Sequence, residues 1–170
     1  MKKTMIDILD KIGRDKFLVI APFTSLFADI ILIYYATSVL LPMMFSREYI
    51  MKYIKMIHGP QAHLPFDALQ VMLGVTKTGT SILLFGFFLF NCVIAYNVYK
   101  KSPNSIKYLL GYTGSTAFIS IFELFGFYYN MNKFNYYTFI TMILYGFVFF
   151  GLRYFKEKPV IEPGTKTEAQ

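Results

Sequence analysis

Asp29, Lys77 and Glu123 each interrupt a long run of hydrophobic residues, and they are the side chains to explain first. A charge at membrane depth is expensive, so such residues face a bundle interior, pair with one another, or line a wet path. Polar neighbours recur around them at helical spacing. Thr113, Thr116, Ser120 and Glu123 follow at i, i+3, i+7 and i+10, which is one helical face. Lys77, Ser81, Leu84, Phe88 and Asn91 form a second stripe, and Ser25, Asp29 and Ala36 a third. Asp29, Lys77, Asn91, Thr116, Ser120 and Glu123 are therefore the candidate ligand-binding residues. Their chemistry suits a proton, a quinone head group, or the polar end of a small apolar ligand. The competing reading is a mutually satisfied cluster that fixes helix register. Counting residues from a turn near Lys100–Pro103 puts Lys77 and Glu123 within roughly 3 Å of one depth. An ion pair between them is expected.

No other constellation points to a reaction. The chain has no Gly-x-Ser-x-Gly, His-Glu-x-x-His, P-loop or Cys-x-x-Cys pattern. His58 and His63 flank a Gly-Pro turn with Asp67 beyond, a spacing that matches no established metal site. They read as loop histidines. Neither lies within an apolar run, where the axial ligands of a membrane haem would have to be. Cys92 is the single cysteine, so no internal disulfide forms. No catalytic residue, metal or cofactor is expected, and the chain reads as a non-enzyme.

The elements that hold these residues are apolar helices. Of 170 residues, 55% are hydrophobic and only 16% charged, too few to cover a soluble domain of this size. The apolar runs are about 17–44, 71–96, 108–129 and 136–154, each near the 20 residues needed to cross a bilayer. The expected fold is all-α, an integral membrane four-helix bundle over residues 17–155. The first run is long enough to tilt, or to kink near Pro22. The net charge of +7 comes from basic residues flanking the spans, which argues for orientation in a membrane and against nucleic acid. Lys and Arg number twelve on the side of both termini and four on the other, which puts both termini in the cytoplasm.

Between the spans, residues 1–16 place Met5, Ile8, Leu9 and Ile12 on one face, an amphipathic helix for the cytoplasmic leaflet. Ile50, Tyr53, Ile54 and Ile57 predict a second interfacial helix on the outer side, ended by Gly59-Pro60. The polar tail 156–170 is expected to be disordered. Gly111 with Ser115, and Gly79 with Gly86, mark expected close helix contacts. The fourth span reads as almost wholly apolar and aromatic, with tyrosines and phenylalanines mostly facing lipid or the membrane interface.

At "HLPFDALQVMLGVTKTGTSILLFG" the sequence resembles the DoxX-like membrane proteins, through Pro65, Leu73, Gly74, Lys77, Ser81, Ile82 and Leu84. The pattern's glycine after the lysine is Thr80 here, with Gly79 one place earlier. The resemblance implies four spans and a role as a small partner of oxidoreductase systems, such as a thiosulfate:quinone oxidoreductase. It carries over no catalytic residue. "APFTSLFAD" is also similar to the first span of EXPERA-type sterol-binding proteins, but Lys77 stands where their second span supplies an acid.

The functional expectation is a non-enzymatic accessory or structural subunit of a larger membrane complex, a redox complex being the kind the resemblance implies. Its partners are the lipid bilayer and other proteins within it. The alternative is a binder of a sterol, lipid or quinone in a polar-lined pocket near Asp29 and Glu123. A small transporter or channel needs more polar lining than four spans provide, and so would require an oligomer.

Overall fold

A computed structural model of the protein describes residues 2–61, 66–131 and 135–157, and these are helical with short connections. Helix α1 covers Lys2–Ile12 and α2 Arg14–Tyr35. A π-helical turn, Ala36–Leu40, carries α2 into the short α3, Leu41–Met44. Helices α4 (Arg47–His58), α5 (Phe66–Tyr99), α6 (Pro103–Met131) and α7 (Tyr136–Glu157) follow. The segments Arg14–Met44, Gln70–Tyr99, Pro103–Gly126 and Tyr136–Glu157 are long and apolar enough to cross a membrane. By length and composition the chain is a membrane protein. His63, Pro65 and nearly all of the tail lie outside the described residues.

The four long helices form an up-down-up-down bundle. Helix α2 packs on α5 and α7, and α6 packs on α7 and, more sparsely, on α5. Each neighbour in sequence is thus a neighbour in space, as short connections favour. The breaks are local and have identifiable causes. Gly13 takes φ 76, a left-handed conformation that suits glycine, and it separates α1 from α2. Lys101 takes φ 60 in the tight α5–α6 turn, and Pro103 then opens α6. Ser46 caps α4 by accepting from the Tyr49 amide at 3.3 Å, and Asn135 caps α7 by accepting from the Thr138 amide at 3.3 Å. Pro22 is buried inside an unbroken α2, and the irregularity falls instead at the π turn, where the Leu41 amide donates to the Ala36 carbonyl.

The tightest packing is at the end of the bundle that carries the N-terminus, the α5–α6 turn and the end of α7. Phe17, Leu18, Ala21, Val98, Leu109, Val148, Leu152 and Phe155 form an apolar core there, and Leu9 of α1 is buried in it. Tyr154 donates to Asp10 at 2.7 Å, which ties α7 to α1. The helix expected to float on the leaflet therefore closes the base of the bundle, with Ile8 exposed on its outer side. At the opposite end α4 exists over Arg47–His58, but Tyr53, Met56 and Ile57 are exposed and its half-covered seam is Ile50, Met51 and Ile54.

Two expectations about packing are corrected. Gly79, Gly86 and Gly111 face open space, with nothing within 4 Å of an added Cβ. The glycines at close contacts are Gly151, against the Phe17 ring, and Gly114, against Phe149. The fourth span also has a polar face. Thr138, Thr141, Tyr145, Val148, Leu152 and Phe155 fall on one side of α7 and all are buried. Tyr145 is 0% exposed, so it faces the interior and not lipid.

Candidate functional site

Each of the four long helices gives one side chain to a single buried polar centre. Asp29 of α2 is 2% exposed and lies between Asn91 of α5, Tyr112 of α6 and Tyr145 of α7. The Asn91 amide donates to one carboxyl oxygen at 2.9 Å. The Tyr112 and Tyr145 hydroxyls each donate to the other oxygen at 2.5 Å, and lie 3.3 Å from one another. Tyr108 extends the network, reaching the Asn91 carbonyl at 3.5 Å. Its ring stacks on Tyr112 at 6.0 Å, and Phe87 and Phe90 close the α5 side with edge-on contacts to Tyr112 and Tyr108. The local sequence dictates this placement. Tyr108 and Tyr112 are one turn apart on α6, and Asn91 ends the inward stripe of α5 that passes through Leu84 and Phe88.

The arrangement is closed. Both carboxyl oxygens already accept hydrogen bonds, three in all, and Asp29 is 2% exposed, so little of its acceptor capacity is open to a ligand. Among the described residues no buried side-chain oxygen or nitrogen lacks a partner. The centre is what a bundle in lipid requires if a carboxyl is to sit at its core. What it does best is lock four helices in one register.

The remaining candidates separate from it. Thr116 bonds the Tyr112 carbonyl of its own helix at 2.8 Å, and Thr113 does the same to Leu109 at 2.7 Å. These hydroxyls are satisfied internally. Ser120 is buried at 1% exposure. Lys77 and Glu123 are both exposed, and among the described residues no ion pair joins them. The expected pair is therefore not formed. Residue counting fixes depth along an axis, whereas α5 and α6 touch least of the four neighbouring pairs. Lys77→Met and Glu123→Gln should each change stability in detergent by less than about 0.5 kcal/mol, and the double mutant should be additive. A coupling above roughly 1 kcal/mol in a double-mutant cycle would show that the pair forms.

Glu123 instead borders a second feature at the far end of the bundle. A cavity of about 660 Å³ is walled by Tyr35, Leu40, Met43, Met44, Tyr49, Tyr53 and Met56, with Glu123 and Lys52 as its charged groups. The π turn helps to build it, because the extra residue redirects the chain that carries Met43 and Met44. Tyr35 is 3% exposed and stacks on Tyr137 at 5.8 Å. Among the described residues no group of three or more His, Cys, Asp or Glu side chains is gathered as a metal site.

Sequence reasoning found Asp29 and Asn91 but missed Tyr108, Tyr112 and Tyr145. The signal for Tyr145 was the i, i+3, i+7 run of Thr138, Thr141 and Tyr145, which reads as a polar interior stripe once the threonines are counted. No protein-family profile, curated protein or solved structure matches the chain.

Proposed function

We propose that this protein is a non-enzymatic subunit of a larger assembly within a membrane, acting through its surface and not through a reaction. The observation that carries the reading is the half of α5 that lies beyond the Asp29 layer. Along its described side chains only the seam Leu73, Thr76, Thr80, Ser81, Leu84 and Phe88 is half covered, while Val71, Met72, Val75, Ile82, Leu83 and Phe85 are exposed. The same stretch carries Lys77, which forms no ion pair among the described residues. An apolar helix surface is at home in lipid, but a lysine on it is not unless it reaches the headgroups or meets an acidic neighbour. A partner helix that brings such a carboxylate satisfies both faces of α5. The closed Asp29 centre is consistent with a structural role, since it leaves no free acid or base.

In this reading the end that carries both termini faces the cytoplasm, and α5 presents its free half in the opposite leaflet. Affinity purification from native membranes into lipid nanodiscs, followed by mass spectrometry of proteins and lipids, tests it. The expected result is a partner or second copy recovered in fixed ratio and reduced by Lys77→Met. Recovery of the protein alone, as a monomer, would overturn the subunit reading.

A second reading rests on the cavity beside Glu123. Its tyrosine and methionine walls, with one carboxylate and one ammonium, suit an apolar molecule with a single polar end, such as a sterol or quinone. The same purification separates the two, because a ligand binder carries an extractable sterol or quinone in place of a protein partner.

A further inference from the structure

We propose that the end of the bundle formed by α1, the α5–α6 turn and the end of α7 holds a specific site for an anionic glycerophospholipid, with the phosphate among Arg14, Lys101, Lys107 and Lys156. These four cations rim a cavity of about 700 Å³ whose one carboxylate is Asp15. Asp15 is engaged by Lys101 at 2.6 Å. Lys107 and Lys156 form no ion pair among the described residues, and Arg14 acts on Asp15 only at longer range than Lys101 does. Arg14, Lys107 and Lys156 come from three different helices, α2, α6 and α7, so the cluster is made by the fold and not by a run of basic sequence. The floor is apolar, formed by Leu18, Leu152 and Phe155. A rim of positive charge over an apolar floor fits an anion attached to hydrocarbon better than a free ion.

A second cavity, also about 700 Å³, continues from the first and shares Lys107, Leu110 and Lys156 with it. It runs along α6 past Gly111, Gly114 and Ser115 to Phe118, with Phe149 of α7 as its other wall. An added Cβ at Gly111 meets nothing within 4 Å. Its missing side chain deepens this groove. From Lys107 to Phe118 the helix rises about 16 Å, close to the length of an acyl chain in one leaflet. The groove therefore starts at the cations and runs toward the bundle centre, the course a lipid tail takes below its phosphate. Phosphate recognition alone would also serve a soluble phosphate, but the groove assigns the ligand to a lipid.

The test uses the full-length protein in detergent, exchanged against mixed micelles of phosphatidylglycerol and phosphatidylcholine, with retained lipid measured by native mass spectrometry. Wild type is expected to retain phosphatidylglycerol selectively. Lys107→Gln and Lys156→Gln should each lower that retention about fivefold, as befits one cation near a phosphate. Gly111→Leu, which fills the groove without changing charge, should lower it as well. Lys11→Gln with Lys16→Gln removes twice the charge of either single variant from the same end, away from the cavity, and should leave retention unchanged. All are exposed positions or open space, and circular dichroism checks that each variant is folded. Equal loss in the Lys11/Lys16 variant would reduce the effect to general surface charge and overturn the site. Equal retention of phosphatidylcholine would overturn selectivity for an anion. Displacement of the lipid by millimolar inorganic phosphate, with Gly111→Leu behaving as wild type, would assign the cations to a free phosphate and overturn the lipid.

Discussion

Asp29→Ala is expected to cost about 3 kcal/mol in a detergent unfolding titration, more than any other single polar substitution in the bundle. The change removes one acceptor and strands three donors, on Asn91, Tyr112 and Tyr145. A buried donor left without a partner costs about 1–3 kcal/mol, and interhelical hydrogen bonds in membranes fall toward the low end of that range. Tyr145→Phe removes a single donor and should cost about 1 kcal/mol. Asp29→Asn should fall between the two. Its amide can keep one oxygen on the tyrosines, but its NH₂ then opposes that of Asn91. Relief requires Asn91 to turn over, which takes the acceptor from Tyr108. Unchanged or raised stability on removing Asp29 would mean the carboxyl is maintained for function at a cost to the fold.

Gly151→Ala should be nearly as damaging, at about 3 kcal/mol, although it adds one methyl group. An added Cβ would lie 2.0 Å from Cζ of Phe17, and a real one cannot approach so closely. Phe17 has nowhere to move, being 0% exposed and packed against Phe147 at 5.6 Å and Phe155 at 5.4 Å. Overpacking of a filled core typically costs about 1–3 kcal/mol, and this site should reach the upper end. Gly114→Ala meets Phe149 at 2.7 Å, but that ring is only half-buried and can turn aside, so the loss should be about 1 kcal/mol. Gly146→Ala meets nothing and serves as the control. Phe17→Leu should restore much of the stability of Gly151→Ala. Equal losses at Gly146 and Gly151 would refute the α2–α7 contact.

The four spans and the helical bundle were legible because lipid imposes one simple demand, a long apolar run for each crossing. Asp29 and Asn91 were legible for the converse reason, since a polar group at that depth must face inward. Tyr112 and Tyr145 were not. Tyrosine serves equally at a membrane interface and in a core, and 14 of them give no contrast. The Lys77–Glu123 expectation failed because a residue count yields height along a helix and nothing about azimuth or crossing angle. Glycine spacing misled for a similar reason. Gly111 and Ser115 form a small-residue pair, yet whether a neighbour sits on that face is decided by the other helices. Gly151, in no such pair, is the glycine that a ring approaches most tightly.

In the proposed reading the free half of α5 is covered by another protein helix in the membrane. The most direct measurement is photocrosslinking in intact membranes, with a benzophenone amino acid placed singly at Val75 and Ile82 of α5 and at Phe150 of α7. All three side chains are exposed, at 69%, 66% and 56%, so each would meet lipid equally if no partner were present. The prediction is a discrete protein adduct from Val75 and Ile82, diminished by Lys77→Met, and none from Phe150. Lipid adducts alone at all three positions would contradict it.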